Sequence, residues 1–250
     1  MKVVIISGRY PETTFDSSVN HKLYADKFGY TYIHCNWPTK AKNLYLNKIY
    51  YLLAYFDFFD YLIWIDDDAF FFDFDKDVMD YKPKNNAFIS LCKSPTFKTL
   101  KTPFSSGQFI LQCNSLSKDF LKCVINQNLQ EVKSWWQSEL GYFTNGDQDA
   151  MVYLLHTQQK FINGLDLHDY KTFNSRFENL EQTDVHQPLI LHFTGKPEIK
   201  IKNYNLTQKK LNLTSSLVPV NYLKEYTLPK KSRKKLFYKR LLIFLKNKFK

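Results

Sequence analysis

Glycine is scarce in this chain, seven in 250 residues, and none of the seven falls into a G-x-G-x-x-G or P-loop pattern. A loop of backbone N–H groups wrapped around a phosphate is therefore not expected. A diphosphate substrate would have to be met by a metal and by side chains. Nor do the four cysteines, Cys35, Cys92, Cys113 and Cys123, show C-x-x-C spacing. Three of them sit in apolar stretches, so all are expected to be reduced and buried. No uncharged apolar run approaches the roughly 20 residues that cross a bilayer. The apolar run in the N-terminal MKVVIISGRY is too short for a signal peptide and reads as a first strand. Asn205 and Asn212 open N-x-T sequons, expected to be chance matches without a secretory signal.

Acidic residues are missing from one region. Residues 230–250 hold ten Lys or Arg and no Asp or Glu, and the whole chain carries +11, which leaves only +1 on the rest. The main body thus gives no charge-based case for binding nucleic acid. From 236 to the end, Phe237, Tyr238, Leu241, Leu242, Phe244, Leu245 and Phe249 share one side of a helix, with Lys239, Arg240, Lys246 and Lys250 opposite, while Ile243 and Lys248 break the pattern. The pattern fits a basic helix lying on an anionic membrane surface, each basic residue adding about 1 kcal/mol. A solvated or partner-binding helix is the alternative. The expected division is a domain over 1–225 and a membrane-associating tail over 226–250, in a cytoplasmic protein peripheral to the inner face of the membrane.

What is present in quantity is alternation. Apolar runs at 2–7, 30–35, 61–65, 87–91, 108–113 and 188–193 read as strands. Helical patterns follow Asp16, with Val19, Leu23, Tyr24 and Phe28 inward, and span 40–56, the stretch after Asn114 or Ser115, and 147–156. This predicts an α/β fold with a mostly parallel, Rossmann-like central sheet, helices on both faces and a C-terminal amphipathic helix. Ligands of such sheets collect outside the carboxyl ends of the strands. The segment 160–186 reads as irregular.

Candidate site residues stand at such ends. Asp66-Asp67-Asp68 follows the buried run YLIWI directly. Two positions apart on extended chain, Asp66 and Asp68 point the same way, which suits Mg²⁺ or Mn²⁺; a solvated acidic turn is the alternative. Four further aspartates, Asp73, Asp75, Asp77 and Asp80, read as surface charge. Ser105, Ser106 and Gly107 precede a strand, either as a plain turn or as a place where hydroxyls and bare backbone meet a sugar. Asp147, Gln148 and Asp149 open a helix, either as a cap or facing a reacting carbon. His192, with Gly195 and Lys196 just after it, could supply a metal ligand beside a phosphate-binding lysine. Trp135 and Trp136 offer aromatic faces to an acceptor sugar, or pack in the core.

In order, NHKLYADKFGY, YLIWIDDDAFF, SSGQFIL, DQDAMVYLL and HFTGKP make the chain from about Asn20 to Pro197 resemble a GT-A glycosyltransferase. It is similar to glycosyltransferase family 34 and to the glycogenin and lipopolysaccharide galactosyltransferase family. The resemblance implies a Mn²⁺ (or Mg²⁺) cofactor on Asp66, Asp68 and His192. It implies donor contacts from Ser7, Asp67, Ser105, Ser106, Gly107, Gly195 and Lys196, with Lys196 on the diphosphate. Asp147, Gln148 and Asp149 would lie beside the donor sugar, and Trp135 and Trp136 beside the acceptor. The implied reaction moves a hexose from a UDP-sugar to a glycan or glycolipid acceptor with retention of configuration, as in cell-surface polysaccharide or lipooligosaccharide synthesis. Ser105 stands where the pattern has Asn, and Lys196 follows Gly195 more tightly than in the galactosyltransferases.

Two other readings compete. A D-x-D phosphohydrolase normally has Thr or Val two places after the second Asp, where this chain has Phe70, and carries its motif earlier. A non-catalytic domain binding lipid or nucleic acid through the tail would not need the ordered motifs.

Overall fold

Val3–Gly8 (β1) is apolar on both sides and buried throughout, as a strand inside a two-faced sheet must be. The computed structural model describes residues 1–12, 15, 17–94, 102–181, 188–220 and 222–223. The expected Asp16 cap, the tail helix over 236–249 and the membrane contact over 230–250 lie outside the described residues. The chain divides into a unit over Met1–Leu217 and another over Val218–Lys250. The account below concerns the first.

After β1 come α1 (Ser17–Phe28), β2 (Thr31–Cys35), α2 (Asn47–Tyr55), β3 (Tyr61–Ile65) and β4 (Ala69–Phe71). Then follow β5 (Ile89–Lys93), β6 (Phe104–Gln112), α3 (Ser115–Asn126), α4 (Leu129–Trp135) and α5 (Asp147–Thr157). Last are β7 (Leu165–His168), β8 (Ser175–Arg176), β9 (Ile190–His192) and α6 (Pro197–Leu211). The main sheet has the order β2-β1-β3-β6-β5-β7, and a smaller sheet the order β4-β9-β8. In the main sheet only β6 runs against its neighbours, so the sheet is mostly parallel as expected.

Strand alternation assigns the two faces. Val4 and Ile6 point into a core shared with Leu52 of α2, Phe120 of α3 and Met151 of α5. Ser7 points the other way, where its hydroxyl meets His21 of α1 at 2.9 Å. Helices therefore cover both faces. The inner side of α1 differs from the apolar stripe read from sequence: Val19 is 40% exposed, while Asn20 and His21 are fully buried. Polar bonds turn the helix. Asn20 Nδ2 donates to the Phe71 carbonyl at 2.9 Å and its Oδ1 accepts the Phe71 N–H at 2.8 Å. His21 Nε2 bonds the Ala69 carbonyl at 2.7 Å. Asn20 and His21 thus fasten β4, and burial pushes the His21 imidazole down to about 3.

The segment expected to be irregular contains β7, β8 and a short 3-10 turn over Phe177–Glu181. The smaller sheet packs on α6 through Phe70, Leu191, Phe193 and Tyr204. Asn114 caps α3 as expected, its Oδ1 accepting the Ser117 N–H at 2.9 Å. All four cysteines are free. Burial pushes the Cys35, Cys92 and Cys113 thiols up to about 12. Among the described residues no helix is long and apolar enough to cross a membrane.

Candidate active site

β3 ends at Ile65 and the chain turns at once, the Asp66 carbonyl accepting the Ala69 N–H at 3.1 Å. Asp66 keeps to the side of Trp64, two residues earlier, and its Oδ1 accepts the Trp64 Nε1–H at 2.6 Å. The turn feeds β4, which runs antiparallel to β9 with Ala69 opposite His192. The Asp68 carbonyl also accepts the Phe193 N–H at 3.0 Å. This pairing carries His192 to the triplet, with Nε2 3.1 Å from Asp68 Oδ1. One ligand atom each from Asp66, Asp68 and His192 lie within 4.8 Å of one another.

Two carboxylates and an imidazole, largely buried, form a donor set that suits a divalent cation. Gly107 supports the fit. A Cβ there would stand 2.7 Å from His192 Cε1 and 3.1 Å from Asp66 Oδ2, so a side chain would intrude on the ligands. The residues present fit a metal.

Counter-charge comes from two lysines. Lys48, from α2, lies 3.4 Å from Asp66 Oδ1 and 3.1 Å from Asp147 Oδ2, and donates to the Ser106 carbonyl at 3.0 Å. Burial would lower the Lys48 ammonium, but Asp147 and Asp66 outweigh it and hold the group above its ordinary value. Burial pushes the Asp147 carboxyl up, against the pull of Lys48. On the other side Lys200 of α6 pairs with Asp68 Oδ2. Burial alone would raise Asp68, yet His192 and Lys200 hold it well below the usual carboxylate range.

The remaining candidates take varied positions. Ser105, Ser106 and Gly107, expected just before a strand, are part of β6 itself. Its reversed direction brings its early residues to the end of the sheet where β3 finishes, Gln108 opposite Ile65. Gln148 Oε1 accepts the Ser106 N–H at 3.1 Å. Asp149 is turned onto the start of its own helix, Oδ2 accepting from Thr144 Oγ1 at 3.0 Å and Gly146 N–H at 3.3 Å. Asp67 is 7% exposed and lines the cleft described below. Ser7 is fully buried against His21. Gly195, with φ +104°, and Lys196 are exposed ahead of α6. Trp135 and Trp136 are partly buried against the core, and Trp136 Nε1 donates to the Gly141 carbonyl at 2.9 Å.

A cleft of about 660 Å³ opens over the triplet, walled by Arg9, Tyr10, Tyr45, Lys48, Asn145 and Lys200, among others. Asn43 Nδ2 donates to the Asn145 carbonyl at 2.7 Å and joins the two sides of its mouth. Lys48 and Lys200 were missed in sequence. Each stands four residues before a buried residue, Leu52 and Tyr204, on the inward side of its helix. That spacing was the available signal.

No protein-family model matches the sequence. No curated protein matches it either. Solved structures do. A glycosyltransferase involved in glycosylation of the major capsid of PBCV-1 aligns with a TM-score of 0.60 at 14% identity, covering 81% of this chain and 99% of that one. The glycosyltransferase GlyE of Streptococcus pneumoniae TIGR4 aligns with a TM-score of 0.49 at 13% identity, covering 90% of this chain and 64% of that one. The galactosyltransferase LgtC, solved with donor and acceptor sugar analogues, aligns with a TM-score of 0.44 at 12% identity, covering 93% and 99%. The first of these likenesses shows the fold alone: the chain shares the α/β fold of that glycosyltransferase.

Proposed function

We propose that this chain is a metal-dependent glycosyltransferase that moves a hexose from a UDP-sugar to a glycan or glycolipid acceptor, with retention of configuration. One observation carries the reading. Asp66 and Asp68, which line the cleft at the end of β3, and His192, 124 positions after Asp68, converge on one point. Their carboxylates and imidazole would hold Mn²⁺ or Mg²⁺, which when bound supplies Lewis-acid stabilisation of a departing diphosphate.

The chain's own residues supply the rest. Lys48 fixes Asp66 and Asp147, so the floor of the cleft keeps its shape as charge changes above it. Lys196 and Lys200, at the start of α6, meet the diphosphate. Asp147 and Gln148 lie beside the donor sugar and stabilise its positive carbon, and Asp149 sets the start of their helix. Ser7, Asp67, Ser105, Ser106, Gly107 and Gly195 belong to the donor side. The acceptor hydroxyl attacks from the face that the diphosphate leaves, and its proton passes to the leaving phosphate. Trp135 and Trp136 are the proposed stacking pair for the acceptor, joined by Tyr45, which is 60% exposed on the cleft.

A tail over 230–250 bound to an anionic inner membrane face would suit a lipid-linked acceptor in cell-surface polysaccharide or lipooligosaccharide synthesis. A donor screen tests the central reading. The protein is incubated with Mn²⁺ and each common nucleotide-sugar, and released nucleotide is measured. Slow release of UDP from a UDP-hexose, abolished by EDTA, is expected. No release from any donor would sink the proposal.

A further inference from the structure

Both oxygens of Asp68 are already engaged by cationic or polar side chains of the protein. His192 Nε2 meets Oδ1 at 3.1 Å, and the Lys200 ammonium meets Oδ2. A divalent ion entering between Asp66, Asp68 and His192 must therefore disturb at least one of these contacts.

The two lysines of the site are not equivalent. Lys48, its side chain 10% exposed, is held by Asp66, Asp147 and the Ser106 carbonyl together. It is a fixed counter-charge. Lys200, 22% exposed, stands one turn into α6, on the wall of the cleft itself. Its four-carbon stem lets the ammonium swing without moving the helix. Lys196, by contrast, is exposed and is not among the lining residues.

We propose that Lys200 is a stand-in cation, which neutralises Asp68 while the cleft is empty and passes to the donor's diphosphate when a divalent ion takes its place. The identity of the diphosphate rests on the glycosyltransferase reading; the exchange itself concerns the metal seat and one side chain. The ion and the ammonium compete for one carboxylate, so the ion alone binds weakly. A diphosphate relieves the competition by giving the ammonium another anion. Ion and nucleotide then each strengthen the other's binding by the same factor.

The test uses the full chain and two probes, Mn²⁺ alone and UDP, with free Mn²⁺ followed by electron paramagnetic resonance. Lys200→Met is expected to bind Mn²⁺ alone about tenfold more tightly than the parent. It is also expected to lose most of the gain in Mn²⁺ affinity that UDP gives the parent. Lys200→Gln, which keeps length and polarity without charge, should do the same, and Lys200→Arg should behave as the parent. Thermal melts confirm that each variant is folded. If Lys200→Met and Lys200→Gln bind Mn²⁺ as the parent does and keep the full effect of UDP, Lys200 is only a pin between α6 and the triplet, and the proposal fails. If Asp68→Asn leaves Mn²⁺ binding unchanged, the seat itself is wrong, and the glycosyltransferase reading falls with it.

Discussion

Two acidic clusters follow one another in the chain, Asp66 to Asp68 and then Asp73, Asp75, Asp77 and Asp80, and the fold treats them in opposite ways. The second spreads its charge over local partners. Asp73 Oδ1 accepts the Asp75 N–H at 2.9 Å, and Asp75 pairs with Lys27 at 2.6 Å. Asp77 caps a 3-10 turn through the Met79 N–H at 2.9 Å and accepts the Tyr30 hydroxyl at 2.6 Å. All four read as surface charge in sequence, yet Asp73 is only 6% exposed, because its carboxylate is turned inward to shape its own loop. The first cluster turns Asp66 and Asp68 toward one point and brings His192 to meet them from another strand. Density of acid does not make a site. Convergence does, and it needs long-range partners to hold it.

Substitutions sharpen this contrast. The largest effect is expected at the first cluster: Asp68→Asn should lower metal-dependent turnover roughly 10³-fold, while Asp73→Asn leaves turnover within about twofold, since Asp73 holds only its own loop, away from the reacting groups. Donor hydrolysis with Mn²⁺ measures both. Equal losses would erase the distinction.

Next comes the support beneath the first cluster. Lys48→Met leaves the buried Asp147 and the partly buried Asp66 without their shared counter-ion, which should cost about 3 kcal/mol in urea unfolding. A third effect depends on pH. Burial lowers the His21 imidazole from 6.5 to about 3, so between those values the unfolded chain binds a proton that the folded chain does not. Stability is then full above pH 6.5 and falls as the pH drops toward 3, by up to about 1.4 kcal/mol per unit. His21→Gln should flatten this slope in unfolding curves taken at several pH values. A parent whose stability is unchanged through that range would contradict the buried neutral ring. Smallest are changes in the second cluster. Asp77→Ala should cost about 1 kcal/mol through its lost cap, and Asp75→Asn about 0.5 kcal/mol or less, both read from the urea midpoint.

Much of the scaffold was legible because burial on both faces forces continuous apolar runs. YLIWI and VVIIS could be little else than inner strands, and the triplet after YLIWI stood out for that reason. β9 lies within the run read at 188–193, but β4 and β8 are only three and two residues long, too short to show a period. The β4–β9 pairing that delivers His192 to Asp68 is therefore not legible in sequence, although the ordered motifs imply that His192 joins the two aspartates. The turned face of α1 was hidden for another reason. Asn20 and His21 are buried by bonds to backbone groups of β4, and apolar periodicity does not register such bonds. Lys48 and Lys200 give no sequence signal of their own beyond their helical spacing, because lysine on a helix reads as solvated.

The bare backbone at Gly107 has one further consequence. The adjoining wall is finished to within a single carbon atom, so alanine there would act as a built-in plug, contesting the space of the His192 ring. Such a protein would be the counterpart of a chelated one, with every charged group retained and the door shut by shape alone.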